Sequence, residues 1–182
     1  MNKSAQVQKK GFTLVELLVV IAIIAILAAV VVLIINPLEL TRRGRDAARL
    51  TDLANLQNAI NVAVQESTGS GSTAVLCTTT GSYPCTGKSN VQGRNSNGSG
   101  WVEVNLGGQQ SVSVPTLPID PINDATYHYT YCADNDAWEI DAVLESAQQS
   151  GKMSADGGDE ANRFEVGSKL DLIAVSGGSC TY

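Results

Sequence analysis

Residues 17–35, LLVVIAIIAILAAVVVLII, run for nineteen positions without a charged or amide side chain. At about 1.5 Å per residue, a helix of that length approaches the roughly 30 Å hydrocarbon thickness of a bilayer. Fifteen of the nineteen are Leu, Ile or Val. At roughly 0.4 kcal/mol each they contribute about 6 kcal/mol toward insertion, against about 3 kcal/mol for one acid at the bilayer centre. The stretch therefore reads as a membrane-spanning helix. Glu16, the one charged residue in 11–35, sits near its end, where an ion costs less.

An acid at that depth needs a partner, and no Lys or Arg lies within helical reach on its C-terminal side. Cutting the chain between Gly11 and Phe12 would create one: the new α-amine would stand four residues before Glu16, on the same helical face. An amine of one copy can then neutralise Glu16 of the next as helices stack in register, a pairing that low dielectric strengthens. The alternative is an acid at the membrane edge reaching up to water.

A basic leader, Gly11, then Phe12-Thr13-Leu14-Val15-Glu16 and a long apolar helix resemble the N-terminal signal of type IV pilins and of the pseudopilins of type II secretion, over about residues 1–40. The resemblance implies that a prepilin peptidase removes residues 1–11, cutting after Gly11 on the cytoplasmic side. It further implies that Phe12 is N-methylated, that Glu16 serves filament assembly, and that the partners are further copies of the chain and an inner-membrane assembly machinery.

The leader is short and basic, and it is set aside from the fold if removed. An ordinary secretory signal fits poorly, because the apolar run exceeds the usual 7 to 15 residues, roughly, and no Ala-x-Ala site closes it. Of 12 basic and 18 acidic residues, loss of Lys3, Lys9 and Lys10 leaves 9 basic, a balance that opposes nucleic-acid binding. The cluster Arg42, Arg43, Arg45 and Arg49 is expected to meet lipid headgroups or neighbouring subunits. Basic residues flank both ends of the span, so charge alone does not settle topology.

Pro37 predicts a kink after the span, at residues 12–36. Leu50, Leu53, Leu56, Ile60 and Val64 then form an apolar stripe among polar residues, predicting that 37–66 continue the helix and lay one face on a soluble domain. Gly44 is a weak point within it. The Gly/Ser run at 67–72 ends the helix, and 67–100 read as a long exposed connection, the place of the variable surface loop in pilin-like proteins. Asn97-Gly98-Ser99 matches a glycosylation tripeptide, which also occurs by chance. Beyond it, 101–182 form an antiparallel sheet domain, with candidate strands at 101–106 and 112–114 and an extended passage through Pro115, Pro118 and Pro121. A hairpin runs from Tyr127, Tyr129 and Tyr131 through a connection at 133–137 to Trp138, Ile140, Ala142 and Leu144. Leu117-Pro118-Ile119-Asp120-Pro121 before this hairpin extends the resemblance to pilin-like proteins into the soluble part. A Gly/Asp-rich loop at 156–160 and a short strand at 170–175 complete the chain. The fold class is α+β: a long N-terminal helix, membrane-spanning in its first half and amphipathic in its second, packed on a small antiparallel sheet.

Four cysteines without Cys-x-x-Cys spacing read as two disulfides rather than a zinc site, and place the domain outside the cytoplasm. Three pairings exist; Cys77 with Cys85 and Cys132 with Cys180 are favoured, closing the C-terminal loop. Chemistry has little to use: the single histidine, His128, lies in a strand pattern among tyrosines and reads as a packing or surface residue, and no nucleophile elbow accompanies it. Asp134 and Asp136, and Asp156, Asp159 and Glu160, offer oxygens suited to calcium, which the resemblance to pseudopilins implies for C-terminal loops. Neither cluster has EF-hand spacing, and solvated turn acids are the preferred reading. The expectation is a structural filament subunit, not an enzyme, with no cofactor. The alternatives are a type II secretion pseudopilin and, from another class, a single-pass anchored binding module.

Overall fold

The structure, a computed structural model, describes residues 11–67, 75–111, 113–174 and 176–182, and Leu33 by its backbone alone. Residues 1–10 of the leader, most of the Gly/Ser run, Val112 and Val175 lie outside the described residues. The chain divides into two compact units, one ending at Leu40 and the other Thr41–Tyr182.

In the first unit, helix α1 spans Leu14–Ile35. Thr13 is its N-cap: the Thr13 hydroxyl oxygen accepts from the Glu16 amide, and the Glu16 carboxylate accepts in return from the Thr13 amide. This capping box satisfies two of the donors that every helix start leaves unpaired. The helix is apolar on all sides, and Leu14–Val32 is long and apolar enough to cross a membrane. It stops at Asn36, which takes a left-handed conformation with φ 43°. Helix α2, Pro37–Glu66, begins on the next residue. Proline suits a first helical position, where its missing N–H would have no partner anyway. Asn36 turns the chain between them, its carbonyl accepting from the Leu40 amide and its side chain from the Glu39 amide. The expected kink is thus a complete stop and restart.

In the second unit α2 buries Asp46, Arg49, Leu53, Leu56, Ala59, Ile60 and Ala63. Leu50 is only half-buried and Val64 exposed, so the buried stripe is narrower in leucine than expected and is widened by alanines. This face packs on a four-stranded antiparallel sheet, β1 (Cys85–Lys88), β2 (Thr130–Asp134), β3 (Ala137–Ala142) and β4 (Phe164–Gly167), ordered β1-β2-β3-β4. Tyr131, Ala133, Trp138 and Ile140 supply the sheet's side of the core. The hairpin turn is tighter than the sequence predicts, two residues at Asn135 and Asp136, with Asn135 at φ 54°.

Three expectations are corrected. Residues 67–100 are not simply an exposed connection: they contribute edge strand β1 and bury Leu76, Cys77 and Cys85. Residues 101–106 are not a strand: their one pairing is an isolated bridge from Asn105 to Asn97, and Trp101, Val102, Glu103 and Val104 are buried by the surrounding chain. The segment lies against β1, where a Cβ on Gly87 would strike the Trp101 carbonyl. Among the described residues of 170–175 there is an isolated bridge, Ile173 to Cys180, and the fourth strand is 164–167. Disulfides join Cys77 to Cys85 and Cys132 to Cys180. The second ties the chain's C-terminal segment over the face of the sheet opposite α2, where Cys132, Leu172, Ile173 and Cys180 form a smaller core.

Candidate functional site

The residues that the sequence resemblance assigns to processing and assembly, Gly11, Phe12 and Glu16, lie in the first unit. Gly11 and Phe12 precede the helix, Phe12 is 91% exposed, and nothing lies within 4 Å of where a Gly11 side chain would begin. Every described side chain of α1 is exposed within the chain. Apolar all round and long enough to span, the helix is a candidate membrane anchor. Glu16 is engaged locally: its Oε2 accepts from the Thr13 amide and hydroxyl, both at 2.8 Å. The sequence reading passed over Thr13, although Thr-x-x-Glu ahead of an apolar run is a readable cap signal.

The arginine cluster after the span splits. Arg49 is not available to lipid: it is fully buried, bidentate to Asp120 at 2.6 and 2.9 Å, and its Nη1 reaches Asp46 at 2.9 Å and Glu145 at 2.5 Å. Its guanidinium also lies over the Tyr127 ring, 5.1 Å from the centroid. Arg45 pairs with Glu145 as well. Burial alone would lower Arg49, but the hydrogen bonds to Asp120 and Glu145 prevail and raise it. These ion pairs fasten α2 to the proline-rich passage and to the chain after β3. The missed signal was spacing: Asp46 and Arg49 stand three apart on the helix face that also carries Leu53 and Leu56.

His128 is buried and stacks on Tyr182 with centroids 4.2 Å apart, and burial lowers its pKa. It is a packing residue. The calcium candidates are occupied as turn acids: Asp134 accepts from Asn135 and Ser179, and Asp156 from the Gly158 and Glu165 amides. Asp136 and Asp159 are exposed. Among the described residues no group of three or more acid, histidine or cysteine side chains is arranged to hold a metal. An open groove of about 420 Å³ lies between Asp52, Asn55 and Asn58 of α2 and the loop at 113–118. Its one carboxylate, Asp52, accepts from the Tyr129 hydroxyl at 2.9 Å.

Glu139 and Asp141 alternate along β3 with the core residues Trp138 and Ile140. They are fully buried, as is Glu165 at 2% exposure, because the C-terminal segment covers that face. Burial raises Glu139, against the opposing hydrogen bonds, to about 7, and burial with the Glu139 hydrogen bond raises Glu165 to about 9.

No curated protein and no solved structure matches the chain. What does match is the segment that holds Gly11, Phe12 and Glu16: residues 7–32 carry the prokaryotic N-terminal methylation motif, the signal of type IV pilins and pseudopilins.

Proposed function

We propose that this chain is a structural subunit that polymerises into a type IV pilus-like surface filament through α1. The observation that carries the reading is the exposed apolar α1 directly behind Gly11-Phe12, with one acid in its first turn. In the precursor, lipid covers the helix and the domain stands outside the cytoplasm. A prepilin peptidase cuts after Gly11 and Phe12 is N-methylated. Neighbouring α1 helices then replace lipid as the covering, so the apolar surface stays out of water throughout. Glu16 leaves its Thr13 cap to pair with the amine of an adjacent subunit. An ion pair made only in the correct stagger sets register, since each misplaced copy leaves a desolvated charge unpaired. On this reading residues 12–36 are the filament-core helix, 37–66 its amphipathic continuation and 101–182 the displayed domain.

Glu16→Ala tests it. The variant is expected to insert in the membrane as well as the wild type and to be cut after Gly11, but to vanish from the sheared surface fraction, in which wild-type chains begin at methylated Phe12. Normal filament yield from the variant would overturn the register role. Wild-type chains that are cut yet never leave the cell envelope would favour a pseudopilin, and uncut chains an anchored module.

A further inference from the structure

The sheet face opposite α2 is unusual for a buried surface. Along it, Asp141 of β3 stands between Thr130 of β2 and Glu165 of β4, and Glu139 lies two residues earlier on β3. All four are buried, and each has one side-chain oxygen without a hydrogen-bond donor among the described residues: Thr130 Oγ1, Asp141 Oδ1, Glu139 Oε1 and Glu165 Oε1. Buried acceptors in such numbers are costly. A guanidinium meets this group at Asp141, where Arg163 Nη1 is 3.4 Å from Oδ2. The remaining oxygens hold the cover in place. Glu139 Oε2 accepts the Leu172 and Ile173 amides at 2.7 and 3.0 Å. Glu165 Oε2 accepts the Glu160 amide, and a Cβ on Gly158 would overlap the Glu165 carboxyl, so only glycine lets this loop approach so closely.

With both glutamates ionised, two buried anions would share this face, each with an oxygen that no donor reaches. One proton kept by the pair removes one buried charge. We propose that the C-terminal segment is a proton-latched strap, docked over the sheet while the Glu139 and Glu165 pair keeps one proton and lifted at Leu172–Ile173 and Gly158–Glu160 when that proton leaves.

Loss of the proton leaves two adjacent carboxylates out of water, and hydrating them requires the cover to open. The Cys132–Cys180 disulfide limits that opening to a tethered loop. At the far end Tyr182 is held between His128 and Arg163, its ring 3.5 Å from the guanidinium carbon and its hydroxyl donating to the His128 carbonyl at 2.8 Å. Other charged groups surround the pair. Arg163 faces Asp141, and Lys169 is paired at the surface with Asp171 at 2.9 Å. Burial raises Asp141. Asp156 accepts the Glu165 amide. His128, lowered by burial, takes up a proton only on the acid side, so it does not drive an alkaline release. The inference concerns the second unit alone and does not depend on the filament reading.

Hydrogen–deuterium exchange on the full chain in detergent micelles tests it, with rates corrected for the intrinsic pH dependence. Between about pH 6 and about pH 9, where opening releases the proton that the docked form still holds, protection at 158–160 and 172–173 is expected to fall about tenfold per pH unit, the slope of one released proton, while α2 amides hold. Glu165→Gln keeps a neutral donor to Glu139 and should flatten the profile. Constant protection in the wild type, or the same decline in the variant, would overturn the latch. So would restoration of protection at about pH 9 by millimolar calcium ion, which would make a cation the bridge. Infrared absorption of protonated carboxyls in the wild type needs no variant. It must diminish over the interval in which the amides lose protection, and an unchanged band rejects the proposal.

Discussion

Arg49 brings one guanidinium into a fully buried position against Asp46, Asp120 and Glu145, with Arg45 as the second cation at the rim. Removing it would strand carboxylates already stripped of water, and breaking a buried pair from one side costs about 3–5 kcal/mol. Arg49→Ala is therefore expected to lower the unfolding free energy of the second unit by that amount, read from denaturant midpoints on the full chain in detergent. Arg49→Lys should recover only part, because an ammonium cannot match the bidentate fit to Asp120. A loss under about 1 kcal/mol for the alanine variant would mean that water reaches the acids once the arginine is gone. Glu16 differs in kind: its partners among the described residues are the Thr13 amide and hydroxyl, so its replacement should spare the fold and affect assembly.

At the scale of elements, the two disulfides close loops of very different length. The Cys132–Cys180 bridge spans 48 positions and Cys77–Cys85 spans 8. The chain-entropy argument assigns them about 4 and about 2.5 kcal/mol. Paired serine substitution at 132 and 180 should thus lower stability more than at 77 and 85; the reverse order in denaturant titrations would show that the longer loop stays compact when unfolded. Element by element, legibility followed the strength of the local pattern. The apolar run, the Asn36-Pro37 break and the Tyr131–Trp138 hairpin could be read because each is set by local chemistry: hydrophobicity, a missing amide, alternation with a short turn. Strand β4, FEVG, was missed because it has only four residues, and its pairing with β3 spans more than twenty positions of chain. Residues 101–106 looked like a strand by composition, yet tertiary packing buries four consecutive residues, 101–104, without strand pairing. The arginine cluster misled for a similar reason: sequence shows the charges of α2, but Asp120 and Glu145 arrive from segments 71 and 96 residues away.

On the scale of the whole molecule, the two ion systems of the second unit titrate in opposite directions, and their sum fixes where the fold is most stable. Glu145 is held below its ordinary value by Arg45 and Arg49, so its contribution is present above about pH 4.5 and is lost as pH falls through the lowered folded value. His128 acts in the same sense: burial lowers it, and its contribution is lost as pH falls below the ordinary histidine range. Glu139, Glu165 and Asp141 act oppositely. Burial raises all three, so their contribution is complete below the ordinary carboxylate range and is lost as pH rises, through about 7 for Glu139 and about 9 for Glu165. Tyr129, Tyr131 and Tyr182 are raised too, which steepens the alkaline decline once the unfolded chain ionises its tyrosines near pH 10. Stability of the second unit is therefore expected to peak on the acid side of neutrality and to fall at about 1.4 kcal/mol per pH unit for each proton lost, with different residues governing the two limbs. Glu145→Gln should flatten the acid limb and leave the alkaline limb in place; Glu165→Gln should do the converse. Denaturant titrations of both variants from about pH 4 to about pH 10 separate the limbs. A wild-type profile that rises steadily to pH 9 would show that the acids beneath the C-terminal segment are hydrated and ionised in the folded protein.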